Sequence, residues 1–153
     1  MEENKTIINF SVRNQILVFI MIIMVSTSCK TDKKQASFTD LSKNVIEVLD
    51  FYGKHRCTSC VQIEQNTKAT LNTFFSKELK NKQIVFKMVQ WDNPQNDALV
   101  EKYEAAGTSL IIHKIKNGKE TIKDLTDIAF KKCEHPNAFS KMLKDVILEE
   151  LKN

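Results

Sequence analysis

NVIEVLDFYGKHRCTSCVQIE, residues 44–64, joins two kinds of pattern. Its first nine residues are rich in β-branched and aromatic side chains and stop at Gly53, which reads as a buried strand feeding a short loop. Beyond the loop come Arg56, Cys57 and Cys60, then apolar residues at Val61, Leu71, Phe74, Phe75 and Leu79. The three- and four-residue steps in the second half of that series predict a helix with those side chains on one face. Cys57 therefore falls at or just before the helix N-terminus.

That position has chemical meaning. The first backbone N–H groups of a helix lack internal partners and carry the positive end of the macrodipole, so a thiolate at Cys57 is stabilised there. His55 and Arg56 add positive charge, and such surroundings lower a cysteine pKa from about 8.5 into the range of roughly 3.5 to 7.5. Cys57 is read as the nucleophile. Cys60, one turn further on and more buried, is read as the resolving thiol. The residue after Cys60 is Val61 where a haem-attachment signature needs His.

Downstream, residues 83–91 read as a second strand. DNPQNDALVEKYEAAG, residues 92–107, reads as a helix with Asn93-Pro94 as its cap and first residue and Gly107 as its end. Residues 109–125 form two strands around Asn117-Gly118, the strongest short hairpin signal. The stretch DLTDIAFKKC, residues 124–133, is helical in pattern and makes Cys133 a small buried hydrophobe. His113 lies inside an apolar strand and reads as a core or rim histidine. The closing segment, residues 136–151, carries Phe139, Met142, Leu143, Val146 and Ile147 on one helical face.

Upstream, Arg13 precedes the ten-residue apolar run ILVFIMIIMV at 16–25, and small residues follow to Cys29. This reads as a secretion signal over residues 1–28, since a transmembrane helix wants about 20 apolar residues. The competing reading is a signal anchor that is never cut. VSTSC resembles a bacterial lipobox, which implies lipidation at Cys29. Residues 29–43 are polar and Lys-rich and read as a tether, leaving a domain at 44–153. The expected setting is extracytoplasmic: a bacterial lipoprotein facing the periplasm or cell surface, where Cys57 and Cys60 are the natural couple.

With 153 residues, 42% hydrophobic and 27% charged, the chain fits one compact domain with a real core. Its 23 basic and 19 acidic residues give a formal charge of +4, but the lysines are scattered without a block or an aromatic ladder. That is a solvated surface, and no nucleic-acid partner is expected. No phosphate loop or flavin signature is present, so no cofactor is expected.

The order strand, helix, strand, helix, hairpin, helix, with CxxC behind the first strand, resembles the thioredoxin-like superfamily from residue 44 to the C-terminus. DNP at 92–94 and YEAAGTSLIIHKIKNGKE at 103–120 agree with the family's later strand, helix and hairpin in spacing. More narrowly, GKHRCTSCVQIE at 53–64 is similar to small bacterial thioredoxin-fold lipoproteins carried under the name of a nitrophenyl-compound nitroreductase subunit; no nitro substrate follows from that name. The resemblance implies an α/β thioredoxin-like fold, with a central mixed sheet of about four strands flanked by helices.

It also implies a membrane-tethered thiol–disulfide oxidoreductase acting on protein or small-thiol disulfides. Asp50 would then be a buried proton relay for Cys60, with one extra residue before Cys57; the alternative is an Asp facing solvent near a strand end. The substrate would meet Arg56, Thr58, Ser59, Thr108 and Ser109. Ser109 stands where the family carries a cis-proline, and a cis bond there would cost about 2.5–4 kcal/mol, so a trans loop is expected. Glu64, on the helix face of Cys60, reads as a surface carboxylate. A competing reading makes the protein a zinc or copper carrier, or a non-catalytic subunit of a redox complex. Cys57, Cys60, Cys133 and His135 supply a Cys₃His inventory for it, but Cys133 and His135 are spaced too tightly, and no metal ligand is assigned. A static Cys57–Cys60 staple ranks lowest, because so small a ring contributes little loop-closure stabilisation.

Overall fold

The structure, a computed structural model, describes residues 44–152. The expected signal segment, the tether and the lipidation site at Cys29 lie outside the described residues. Four strands, β1 (Val45–Tyr52), β2 (Ile84–Gln90), β3 (Ser109–Lys116) and β4 (Lys119–Asp124), form one sheet in the order β2-β1-β3-β4. β1 runs parallel to β2 and antiparallel to β3, and β3 and β4 form an antiparallel hairpin. Among the described residues five α-helices accompany them: α1 (Thr58–Phe74), α2 (Ser76–Lys80), α3 (Asp97–Lys102), α4 (Thr126–Lys132) and α5 (Pro136–Lys152). The architecture is α/β, a mixed four-stranded sheet flanked by helices, as a thioredoxin-like arrangement requires.

The near-continuous apolar run of β1 follows from its place. It lies between two strands and is covered on both faces, so every residue from Val45 to Phe51 is buried. Successive side chains of a strand point to opposite faces. Ile46 and Val48 pack with Ile63 and Leu71 of α1 and with Phe139, Leu143 and Ile147 of α5. Leu49 and Phe51 pack on the other side, with Val89, Tyr103 and Ala105.

Three expectations are corrected. The buried stripe of α1 is Cys60, Ile63, Thr67, Thr70 and Leu71, and Phe74 is 45% exposed. Phe75 is buried, but it interrupts the helix: its non-helical backbone (φ −131°, ψ 26°) closes α1 and opens the short α2. The segment after Pro94 begins as a 3₁₀ turn, Pro94–Asn96, and α3 ends at Lys102. Gly107 is not its terminator; Glu104, at φ 52°, makes the left-handed step instead. The hairpin turns where the sequence places it, with Asn117 and Gly118 at φ 53° and 74°. The helical stretch before Cys133 is α4. Among the described residues no helix is long and apolar enough to cross a membrane.

Candidate functional site

Cys57 is the residue that caps α1. Its backbone is extended, and its Sγ accepts a hydrogen bond of 3.0 Å from the backbone N–H of Cys60. Cys57 and Cys60 form a disulfide across 5.1 Å between their Cα atoms. Cys57 is exposed and Cys60 is buried, so one sulfur of the pair is open to attack and the other faces the protein. This is the division expected of a nucleophile and a resolving thiol.

The loop before Cys57 is tied down at both ends. The Lys54 N–H donates to Asp92 Oδ2 at 2.9 Å, a bond that, with one from Gln90 and the nearby His55, holds the Asp92 carboxyl below its ordinary range. Gly53 lies against the indole of Trp91 so closely that a Cβ would come within 2.8 Å of Nε1. At the other end Arg56 folds back over the site. Its Nη1 pairs with Glu64 Oε2, its Nη2 donates to the Cys60 carbonyl at 3.4 Å, and its guanidinium carbon stands 5.3 Å over the Tyr52 ring.

Glu64 is thus not the surface carboxylate expected from its place in the sequence. Its side chain is 14% exposed, and its second oxygen takes Lys68 Nζ. Partial burial works to raise its pKa, but the hydrogen bonds from Lys68 and Arg56 outweigh this and hold it below the ordinary carboxylate range. Its i,i+4 relation to both Cys60 and Lys68 places the three on one stripe of α1; that spacing was the available signal. Nothing in the sequence joins Arg56 to it, because a turn of chain direction intervenes.

Asp50 is fully buried, which removes the solvent-facing alternative. It shares a face of β1 with Ile46 and Val48, the face covered by α1. Neither carboxyl oxygen has a hydrogen-bonding partner among the described residues. Burial pushes its pKa from 3.8 up to about 7; Arg56 and Lys68 oppose this and Glu64 adds to it. The carboxyl therefore lies within electrostatic reach of Arg56, Glu64 and Lys68.

Thr58 and Ser59 are the first residues of α1, exposed and half-buried respectively. Thr108 and Ser109 are half-buried where β3 begins, with Ser109 opposite Phe51 in the sheet register. The described peptide bonds are all trans, and the Ser109 hydroxyl donates to the Gly107 carbonyl at 3.2 Å.

The residues of the metal-carrier reading are not brought together. Cys133 is a buried free thiol whose Sγ donates to the Phe130 carbonyl at 3.1 Å, and its own carbonyl accepts from Asn66 Nδ2 at 2.8 Å. His135 is exposed. Among the described residues no three His, Cys, Asp or Glu side chains converge to hold a metal ion.

No protein-family model matches this chain, and no curated protein matches it. Among solved structures, one titled "Structure of a malarial protein" is 22% identical over 58% of this chain and 96% of its own, with a TM-score of 0.37. That likeness is too slight to bear on fold or function.

Proposed function

We propose that this protein is a thiol–disulfide oxidoreductase of the thioredoxin-like superfamily that works through Cys57 and Cys60. The observation that carries the reading is the disulfide at the head of α1, with Cys57 exposed, Cys60 buried and a carboxyl shifted to about 7 beneath the same helix. In the reductive direction the Cys57 thiolate attacks a substrate disulfide. A Cys57–substrate disulfide forms and the first substrate sulfur leaves as a thiolate, taking up a proton. Asp50 then accepts the Cys60 proton, directly or through water, and Cys60 sulfur attacks Cys57 Sγ. The second substrate thiolate leaves, the Cys57–Cys60 bond re-forms, and two electrons have passed to the substrate. The opposite direction runs the same steps backwards.

Arg56, Thr58, Ser59, Thr108 and Ser109 frame the approach to Cys57 in this reading, and the substrates are protein or small-thiol disulfides. The sequence features at residues 1–43 support a bacterial lipoprotein held to a membrane through Cys29, with its domain outside the cytoplasm. Kinship with the nitroreductase-subunit branch rests on residues 53–64 alone.

A thiol-trapping redox titration of the full chain tests the activity. A reversible two-electron transition is expected in wild type and absent from Cys57→Ser, while Cys60→Ser accumulates mixed disulfides with partners. If the wild-type pair shows no reversible transition, the oxidoreductase reading fails.

A further inference from the structure

The charged groups on the elements that build the site are Lys54, His55 and Arg56 on the loop, Asp50 on β1, Glu64 and Lys68 along α1, and Asp92 beyond β2, which is tied to the loop through Lys54. Thr108 and Ser109, at the start of β3, add no charge. Asp92 is engaged by the Lys54 N–H and by Gln90. Glu64 is the carboxylate set among the cations, taking Arg56 on one oxygen and Lys68 on the other.

Two properties of Arg56 depend on that contact. One is place: Arg56 adjoins Cys57 in the chain and reaches the Cys60 carbonyl, so the Glu64 contact closes a bracket spanning both cysteines. The other is charge. A guanidinium beside a nucleophilic sulfur favours its thiolate, and a carboxylate paired with that guanidinium opposes the effect. Both groups are mostly withdrawn from water, with side chains 24% and 14% exposed, so solvent screens them less than a surface pair.

We propose that Glu64 is a positioning residue of the disulfide site, which brackets Arg56 across the two cysteines and offsets its charge. The balance of Arg56, Glu64 and Lys68 then sets how readily the pair gives up electrons. The inference rests on the oxidoreductase reading. It also changes the part of Arg56: its fork is committed within the chain and forms a wall of the site, leaving the exposed Lys54 and His55 as the cations that meet substrate.

The test is the redox midpoint against glutathione, with the pH profile of Cys57 alkylation in the reduced protein, measured on the full chain for wild type, Arg56→Gln, Glu64→Gln and the double variant. Glu64→Gln removes the offsetting charge at nearly constant shape. It should make alkylation below neutral pH about threefold to tenfold faster. It should shift the exchange equilibrium toward the dithiol by a similar factor, a tenfold change being about 30 mV. Arg56→Gln alone should move either readout less than about threefold, and by more in the Glu64→Gln background. A reversible wild-type transition with Glu64→Gln unshifted overturns the proposal while leaving the oxidoreductase reading intact. Equal Arg56→Gln effects in both backgrounds also overturn it. If Glu64→Gln fails to fold, Arg56→Gln alone still decides: a shift above about tenfold means that its charge is not offset. A wild-type pair without a reversible transition removes both readings together.

Discussion

Asp50 is a buried acid that works against the fold whenever it is ionised. Its pKa in the folded protein is pushed up to about 7, against 3.8 as the ordinary value. Between those limits the unfolded chain loses the proton and the folded chain keeps it, so stability declines as pH rises from about 4 to about 7 and then levels. Each pKa unit corresponds to about 1.4 kcal/mol, so the cost above pH 7 is on the order of 4 kcal/mol. Asp50→Asn should accordingly raise the urea midpoint of the oxidised protein at pH 8 and leave it nearly unchanged at pH 3.5. In the reduced protein the same change should slow the Cys60 step and leave the first attack by Cys57 intact, which stopped-flow mixing with a disulfide substrate separates. The sequence left Asp50 open between core and solvent for a physical reason. An acidic residue near a strand's end is buried only if the face it points to is covered, and whether α1 and the distant α5 close over that face is decided by tertiary packing.

The loop between β1 and α1 is the element on which the site depends. Gly53 is needed there for a close approach to Trp91, not for a left-handed backbone. Gly53→Ala would press a methyl group into the indole, and relief requires either Trp91 or the loop to move. The expected loss is about 1–3 kcal/mol, read from urea unfolding, together with a changed alkylation rate at Cys57. The local signals in this region were legible where one interaction dominates. Asn117-Gly118 set the hairpin, and the extended run of β1 followed by Gly53 set the loop. The inner face of α1 was harder to see because Thr67 and Thr70 occupy two of its buried positions. Thr70 satisfies its hydroxyl on the Asn66 carbonyl, 2.7 Å away, and packs beside Ser140 of α5. A stripe of mixed polarity has a weak hydrophobic period, and attention passes to Phe74, which lies outside beneath Lys144. Gly107 misled differently: a glycine suits a helix terminus, but Glu104 already makes the turn.

Across the whole molecule the sheet carries a second buried polar group, on the face opposite α1. Glu47 Oε2 lies 2.9 Å from His113 Nδ1, and the same nitrogen lies 2.8 Å from Tyr103 Oη. Lys87 pairs with the other Glu47 oxygen. Burial, with Glu47 and Glu120 nearby, pushes the Tyr103 hydroxyl up. Removing Glu47 takes a hydrogen-bonding partner from the buried His113, so Glu47→Ala should cost about 1–3 kcal/mol in urea unfolding. Reading His113 as a core histidine was right in place, but Glu47 is 66 residues away in sequence, and only the sheet register brings them side by side. The order of elements and their apolar faces could be read from the chain; which charges meet across the sheet could not. The third described cysteine gives the assembled molecule one more property. Cys133 is buried where α4 ends, its thiol donating to the Phe130 carbonyl and its own carbonyl taking the Asn66 side-chain amide. A crosslink from Cys133 to an exposed sulfur therefore requires the surrounding core to open first. Folding acts as the proofreader of oxidation: among the described cysteines, a chain that packs first withdraws Cys133 and leaves Cys57 with Cys60, whereas a chain oxidised before packing exposes all three to exchange.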